Sequence, residues 1–170
     1  MAGISPRLRV LVVEDESLIR WSIAETLGHA GHTVIEAEDG AAAVRALTNS
    51  PEAVDVVMLD YRLPDSNDLT LLAAIRRLSP RSGVILMTAH GTPEVTKGAL
   101  NLGAYQVMHK PFELHDLEPL LIEAFTSSRP HAFRVVVACY RAIRSRRGNC
   151  EPKMRISRPA MAVAGCIHDT

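Results

Sequence analysis

The chain is predicted to be an α/β protein built on a doubly wound, five-stranded parallel sheet, and three observations lead there. Short apolar runs of buried-strand length recur through the first part of the 170 residues. Segments with an apolar repeat of three or four residues lie between them, as amphipathic helices require. Gly and Pro stop signals fall at the joints. Strand and helix in strict alternation argue for parallel strands joined by helical crossovers, with helices covering both faces.

In chain order, LRVLVV (8–13) reads as the first strand. Ile19, Ile23, Leu27 and Ala30 then mark a helix face, with Ser17 in the N-cap position and His29-Ala30-Gly31 as the stop. TVIEA (33–37) and VDVVML (54–59) are the second and third strands. Leu69, Leu72, Ile75 and Leu78 mark the next helix read from spacing, entered at Asp68 and closed by Ser79-Pro80. GVILMT (83–88) is the fourth strand, and the helix after it ends at Asn101-Leu102-Gly103. AYQVMH (104–109) is the fifth strand, followed by a last helix on Leu114, Leu117, Leu121 and Phe125. The near-continuous apolar character of the central runs is what strands buried on both faces show.

Formal net charge is zero, but residues 1–125 hold 10 Lys/Arg against 17 Asp/Glu, and residues 126–170 hold 9 against 2. This asymmetry separates a folding unit over 1–126 from a basic tail over 127–170, which contains no recognised domain and reads as poorly ordered. The 47% apolar content suffices for one sizeable core. All three cysteines (Cys139, Cys150, Cys166) are in the tail, their number is odd, and no C-x-x-C occurs, so a disulfide framework is not expected. No apolar run approaches a membrane span and no basic, apolar leader precedes the first strand. A cytoplasmic protein with no membrane partner is the expectation.

An open parallel sheet works from the loops beyond the carboxyl ends of its strands. At those ends the sequence places Glu14-Asp15-Glu16 after strand one, Asp60 after strand three, Thr88 after strand four and Lys110 after strand five. Converging carboxylates repel by about 4 kcal/mol per pair at 4 Å and an effective dielectric near 20. They call for a cation, and an all-oxygen ligand set suits a hard ion such as Mg2+, which also accepts phosphate oxygens. A carboxylate on such an ion can attack a phosphoryl group to give an acyl phosphate. Thr88 would then offer a hydroxyl to the phosphoryl oxygens and Lys110 a point charge. Taken singly, each residue has a plainer use: strand-end Asp and Thr residues usually cap turns, Lys is usually solvated, and the acid cluster suits a helix first turn. It is their joint order along the chain that outweighs those uses.

The motifs VLVVEDE (10–16), VVMLDYRLPDS (56–66), VILMTAHG (84–91) and HKPFEL (109–114) resemble the response-regulator receiver domains of bacterial two-component systems, from about Leu8 to Phe125. The resemblance implies a flavodoxin-like (βα)5 fold and a phosphoacceptor switch rather than an enzyme. It implies Asp60 as phosphoacceptor, Asp15 as a direct Mg2+ ligand, Glu14 as a ligand through water, and the backbone carbonyl of Arg62 as a further ligand. Thr88 corresponds to the switch hydroxyl and Lys110 to the phosphate contact, followed by Pro111 in a cis peptide link. Ala89, small and next to Thr88, would leave room for the phosphoryl group. The expected partners are a sensor histidine kinase or phosphotransfer protein and a second copy through the helix-four face. YRLPDSND and AHGTPEV look most like receivers that front enhancer-binding transcription activators.

Two departures stand out. Asp68 occupies the place of the family's usual Gly eight residues after the phosphoacceptor, and Val107 the place of the usual aromatic. Tyr105 is expected on the face of strand five that carries Val107, displaced by two residues.

Rival readings are weaker. A haloacid-dehalogenase-type phosphatase needs a second carboxylate two residues after its nucleophile, where this chain has Arg62. A dinucleotide site needs G-x-G-x-x-G after strand one, where acids that repel a pyrophosphate stand instead. The sequence contains no G-x-x-x-x-G-K-[ST] loop of an ATPase module. In the tail, 131–148 has apolar residues at near-helical spacing beside Arg134, Arg141 and Arg144, which would suit nucleic acid or an acidic partner. A solvated tail is the preferred reading, and Cys139, Cys150, Cys166 and His168 lack zinc-finger spacing.

Overall fold

A computed structural model describes residues 6–129. The tail from 130 onward, with its basic apolar stretch and all three cysteines, lies outside the described residues. The elements run β1 (Arg9–Val13), α1 (Ser17–His29), β2 (Thr33–Ala37), α2 (Gly40–Asn49), β3 (Val56–Asp60), α3 (Thr70–Leu78), β4 (Gly83–Thr88), α4 (Pro93–Asn101), β5 (Gln106–His109), a 3-10 turn (Leu114–Asp116) and α5 (Leu117–Ser127). The strands form one parallel sheet in the order β2-β1-β3-β4-β5, the predicted doubly wound architecture.

The burial explains the strand sequences. Every residue of β3 and β4 is buried, whereas the edge strands β2 and β5 leave residues exposed. Period-two alternation sends Val57 and Leu59 into a core with α2, α3 and α4, and Val56 and Met58 into a second core with α1 and α5. Each fully buried Leu or Ile in these cores contributes about 1.5 to 3 kcal/mol.

Several local details differ from the pattern reading. Helix α1 starts at Ser17 with Glu16 in the cap position and no side-chain cap bond, so Ser17 is its first residue and not its cap. The apolar face of α3 is Leu71, Leu72 and Ile75, while Leu78 is 44% exposed at the helix end. Ala30 lies beyond α1 and is exposed, and Leu114 is exposed in the 3-10 turn ahead of α5. Asp68 does support the start of α3: its carboxylate accepts from the Thr70 N–H at 2.8 Å, with Leu69 intervening as the cap residue. Gly31 and Gly103, just past α1 and α4, take φ of 92° and 93°, which side-chain-bearing residues rarely adopt.

Tyr105 and Val107 do not share a face. Val107 packs in the α2–α4 core, whereas Tyr105 packs on the α1/α5 side, its hydroxyl donating to Glu123 on α5 at 3.1 Å. The reason is that β5 begins only at Gln106, so the strand alternation does not extend back to Tyr105. At the other end of the domain, the Arg129 guanidinium pairs with Asp55 and lies 4.4 Å over the Phe125 ring.

Candidate functional site

Register brings the carboxyl ends of the strands together. Val13 pairs with Leu59, Asp60 with Met87, and Thr88 with His109. Glu14 continues the line of β1 for one residue, its N–H donating to Ala37 O at 3.1 Å, and its side chain is completely buried. Asp60 is the last residue of β3 and is buried, while Asp15 is exposed. Carboxylate oxygens of Glu14, Asp15 and Asp60 all lie within 4.8 Å of one another.

Lys110 follows β5 and reaches across the sheet end. Its N–H donates to Thr88 O at 2.8 Å, and its Nζ donates to Glu14 Oε2 at 2.6 Å and Asp60 Oδ2 at 3.0 Å. The Lys110–Pro111 peptide is cis, as expected. Thr88 is the last residue of β4 and buried, and its hydroxyl oxygen accepts from His90 N–H at 3.2 Å. Ala89 is exposed and lines a groove of about 520 Å³ with Lys110, Pro111, Phe112, Leu18 and Ile19. Arg62 stands exposed in the loop two residues beyond Asp60.

Charge balance in this cluster is tight. Burial pushes the Glu14 carboxyl above its ordinary range; the Lys110 hydrogen bond pulls it back and the Asp60 charge pushes it further up. Burial presses the Lys110 ammonium down, but its bonds to Glu14 and Asp60 outweigh that and hold its pKa above the ordinary value. Glu14 Oε1 is buried with no hydrogen-bond partner among the described residues. An unpaired carboxylate oxygen inside a cluster of three acids, with only oxygen donors, fits a hard divalent cation. The carboxylates of Glu14, Asp15 and Asp60 therefore converge, Lys110 reaches Glu14 and Asp60, and the Thr88 position adjoins them through the strand register.

Two supporting residues went unrecognised in the sequence. Arg20, on the first turn of α1, donates from Nη1 to Glu14 O at 2.6 Å and to Asp15 O at 3.4 Å, and its Nε lies 3.3 Å from Glu36 Oε2. Asp65, in the loop after β3, accepts from Gly40 N at 2.8 Å and Ala41 N at 2.9 Å, capping α2 from a distance. Those backbone N–H groups, the Gly40 bond foremost, hold the Asp65 carboxyl below its usual range. A Cβ on Gly40 would meet both Asp65 carboxylate oxygens at 3.2 Å and Leu71 Cδ2 of α3 at 2.9 Å, so a larger residue there would crowd the Asp65 contact. Neither contact has a local sequence signature: Arg20 looks like one more polar helix residue and Asp65 like a turn former.

The family model described as "Response regulator receiver domain" matches residues 10–121. The DNA-binding transcriptional regulator NtrC of Escherichia coli (strain K12) is 35% identical over 117 residues, covering 69% of this chain and 24% of NtrC. The chain thus aligns with about a quarter of the length of such curated relatives. Among solved structures, the receiver domain of NtrX from Brucella abortus is 32% identical with a TM-score of 0.62, covering 68% of this chain and 97% of that one. The beryllofluoride-activated NtrC4 receiver domain dimer is 30% identical with a TM-score of 0.65, covering 71% and 98% respectively.

Proposed function

Because this chain belongs to the response regulator receiver domain family, we propose that it is a phosphoacceptor switch in which Asp60 takes a phosphoryl group from a phosphohistidine. The observation that carries the reading is the convergence of three carboxylates within 4.8 Å at the carboxyl edge of the sheet, two of them, Glu14 and Asp60, bridged by Lys110. A histidine kinase or phosphotransfer protein is the proposed donor. An Asp60 carboxylate oxygen attacks phosphorus, the P–O bond forms as the donor P–N bond breaks, and the imidazole leaves with a proton.

Asp15 and Asp60 are the proposed direct ligands of Mg2+, with Glu14 acting through water and the Arg62 carbonyl completing the protein's share. When bound, Mg2+ supplies the positive charge that lets anionic carboxylate and phosphoryl groups approach. Lys110, now on Glu14 and Asp60, is proposed to turn one bond onto the phosphoryl oxygens. Arg62 at the second position after Asp60 supports a switch over a dehalogenase-type phosphatase, which would need an acid there. No helix among the described residues is long and apolar enough to cross a membrane.

Thr88 is proposed to read the phosphoryl group by exchanging its bond from His90 N–H for one to the new oxygens, displacing the loop into α4. Leu100 and Leu102, exposed at the end of α4, make that face the proposed homodimer surface. With acetyl phosphate and Mg2+, wild type and Thr88→Ala are both expected to be phosphorylated, but only wild type to change α4 hydrogen exchange or oligomer size. Equal responses in the two proteins would remove Thr88 from the switch.

The folding unit is proposed to stand without the tail. Deleting 130–170 keeps all of α5 and the Arg129 pair with Asp55, so phosphorylation should persist and the melting temperature shift by no more than a few degrees. Loss of folding would show that the tail packs on the domain. Should the tail bind nucleic acid, only the full chain would retard DNA, with affinity falling steeply as salt rises.

A further inference from the structure

We propose that Arg20 is a positioning residue of the Mg2+ site, its guanidinium holding the backbone turn that presents Glu14 and Asp15 to the ion. The inference rests on the Mg2+ reading above and adds a residue that the reading does not require.

The turn between β1 and α1 has little regular structure to fix it. Glu14 N–H is tied to Ala37 O, but α1 begins only at Ser17. Between those points, the directions in which the Glu14 and Asp15 side chains leave the backbone depend on the orientation of their peptide planes. The Glu14 carbonyl is pinned at 2.6 Å by Arg20 Nη1, with a longer contact at 3.4 Å from the same nitrogen to the Asp15 carbonyl. Arg20 is itself well anchored: its N–H donates to Glu16 O at 2.9 Å, its Nε faces Glu36, and its side chain is only 16% exposed. A planar guanidinium can face two carbonyls and a carboxylate in different directions, which one ammonium nitrogen cannot do equally well. Groups that orient metal ligands typically change metal affinity by about 10- to 100-fold when removed.

Electrostatics and positioning predict opposite signs here. A cation beside a Mg2+ site repels the ion, so an Arg20 acting only through its charge would weaken binding, and its removal would tighten it. Glu36 offsets that charge, leaving the hydrogen bonds as the main influence. An Arg20 that merely braces α1 against β2 would alter the stability of the metal-free protein and leave the affinity of the folded fraction unchanged.

The experiment is calorimetric Mg2+ titration of the full chain as wild type, Arg20→Ala, Arg20→Lys and Glu36→Gln, beside thermal melts without Mg2+. We expect Arg20→Ala to bind Mg2+ about tenfold or more weakly, Arg20→Lys to recover part of the loss, and Glu36→Gln to lose less than Arg20→Ala. Unchanged or tighter Mg2+ binding by folded Arg20→Ala overturns the inference while wild type still binds. If Arg20→Ala does not fold, wild-type affinity in both Arg20→Lys and Glu36→Gln overturns it. A wild type that fails to bind Mg2+ overturns the metal reading and this inference with it.

Discussion

Asp60→Asn is expected to abolish the incorporation of phosphoryl groups from acetyl phosphate, where wild type with Mg2+ takes up one acid-stable, base-labile group per chain. The side chain is the last of β3, buried, and held by Lys110 at 3.0 Å in a cluster with Glu14 and Asp15. An amide in its place keeps the size but loses the anionic oxygen, so the nucleophile is gone and only a weaker, neutral oxygen is left for the proposed metal ion. Chelation of Mg2+ in wild type should have the same effect. Labelling that persists in Asp60→Asn, or that ignores chelation, would refute the assignment. Continuous release of phosphate from phosphomonoesters, many per chain, would instead favour the phosphatase reading.

Lys110→Met should produce the largest loss of stability among the site variants. Lys110 is the cation on both Glu14 and Asp60, its side chain only 13% exposed and that of Glu14 not exposed at all. Methionine keeps the apolar stem and leaves a buried carboxylate without its counter-charge, at a cost of about 3 kcal/mol, the lower end for breaking a buried pair. The lower end applies because Glu14 can relieve the charge by taking a proton, its pKa being already raised above the ordinary 4.5. That shift sets the sign of the pH dependence. A group with a folded-state pKa above its unfolded value binds more protons when folded, so stability is lost as pH rises from the unfolded toward the folded pKa. The deficit of Lys110→Met relative to wild type should therefore grow as pH rises past the already raised pKa of wild-type Glu14, and shrink again when Mg2+ is added. Urea unfolding at pH 5 and pH 8, with and without Mg2+, reads all of this. A variant as stable as wild type at pH 8 would mean that Lys110 does not neutralise the cluster.

Both experiments concern residues whose order was plain in the linear chain. The five apolar runs, the helical spacing between them, and the placing of Glu14, Asp15, Asp60, Thr88 and Lys110 at strand ends are short-range patterns with periods of two and near 3.6. Such patterns are set by backbone geometry, and parallel crossovers then have few ways to bring strand ends together. The sequence by itself therefore determined the sheet, its working edge and the acids and lysine that meet there.

Tertiary structure decided what depends on packing and reach. The buried face of α3 settled on Leu71 over Leu78 because the helix spans only Thr70–Leu78, which places Leu71 in its first turn against the core and leaves its last residue in solvent. Tyr105 went to the face opposite Val107 because β5 starts at Gln106, two residues later than its apolar run. The Asp65 bonds to the start of α2 span 24 and 25 residues, and the Arg129 bond to Asp55 spans 74. Arg20 lies only five and six residues from the carbonyls it holds, yet it meets them because the turn folds back over the first turn of α1. Hydrogen bonds of this kind require a donor and an acceptor to arrive within about 3 Å at a workable angle. That condition is set by the relative placement of elements and by rotamers, neither of which has a period that the residue string can display.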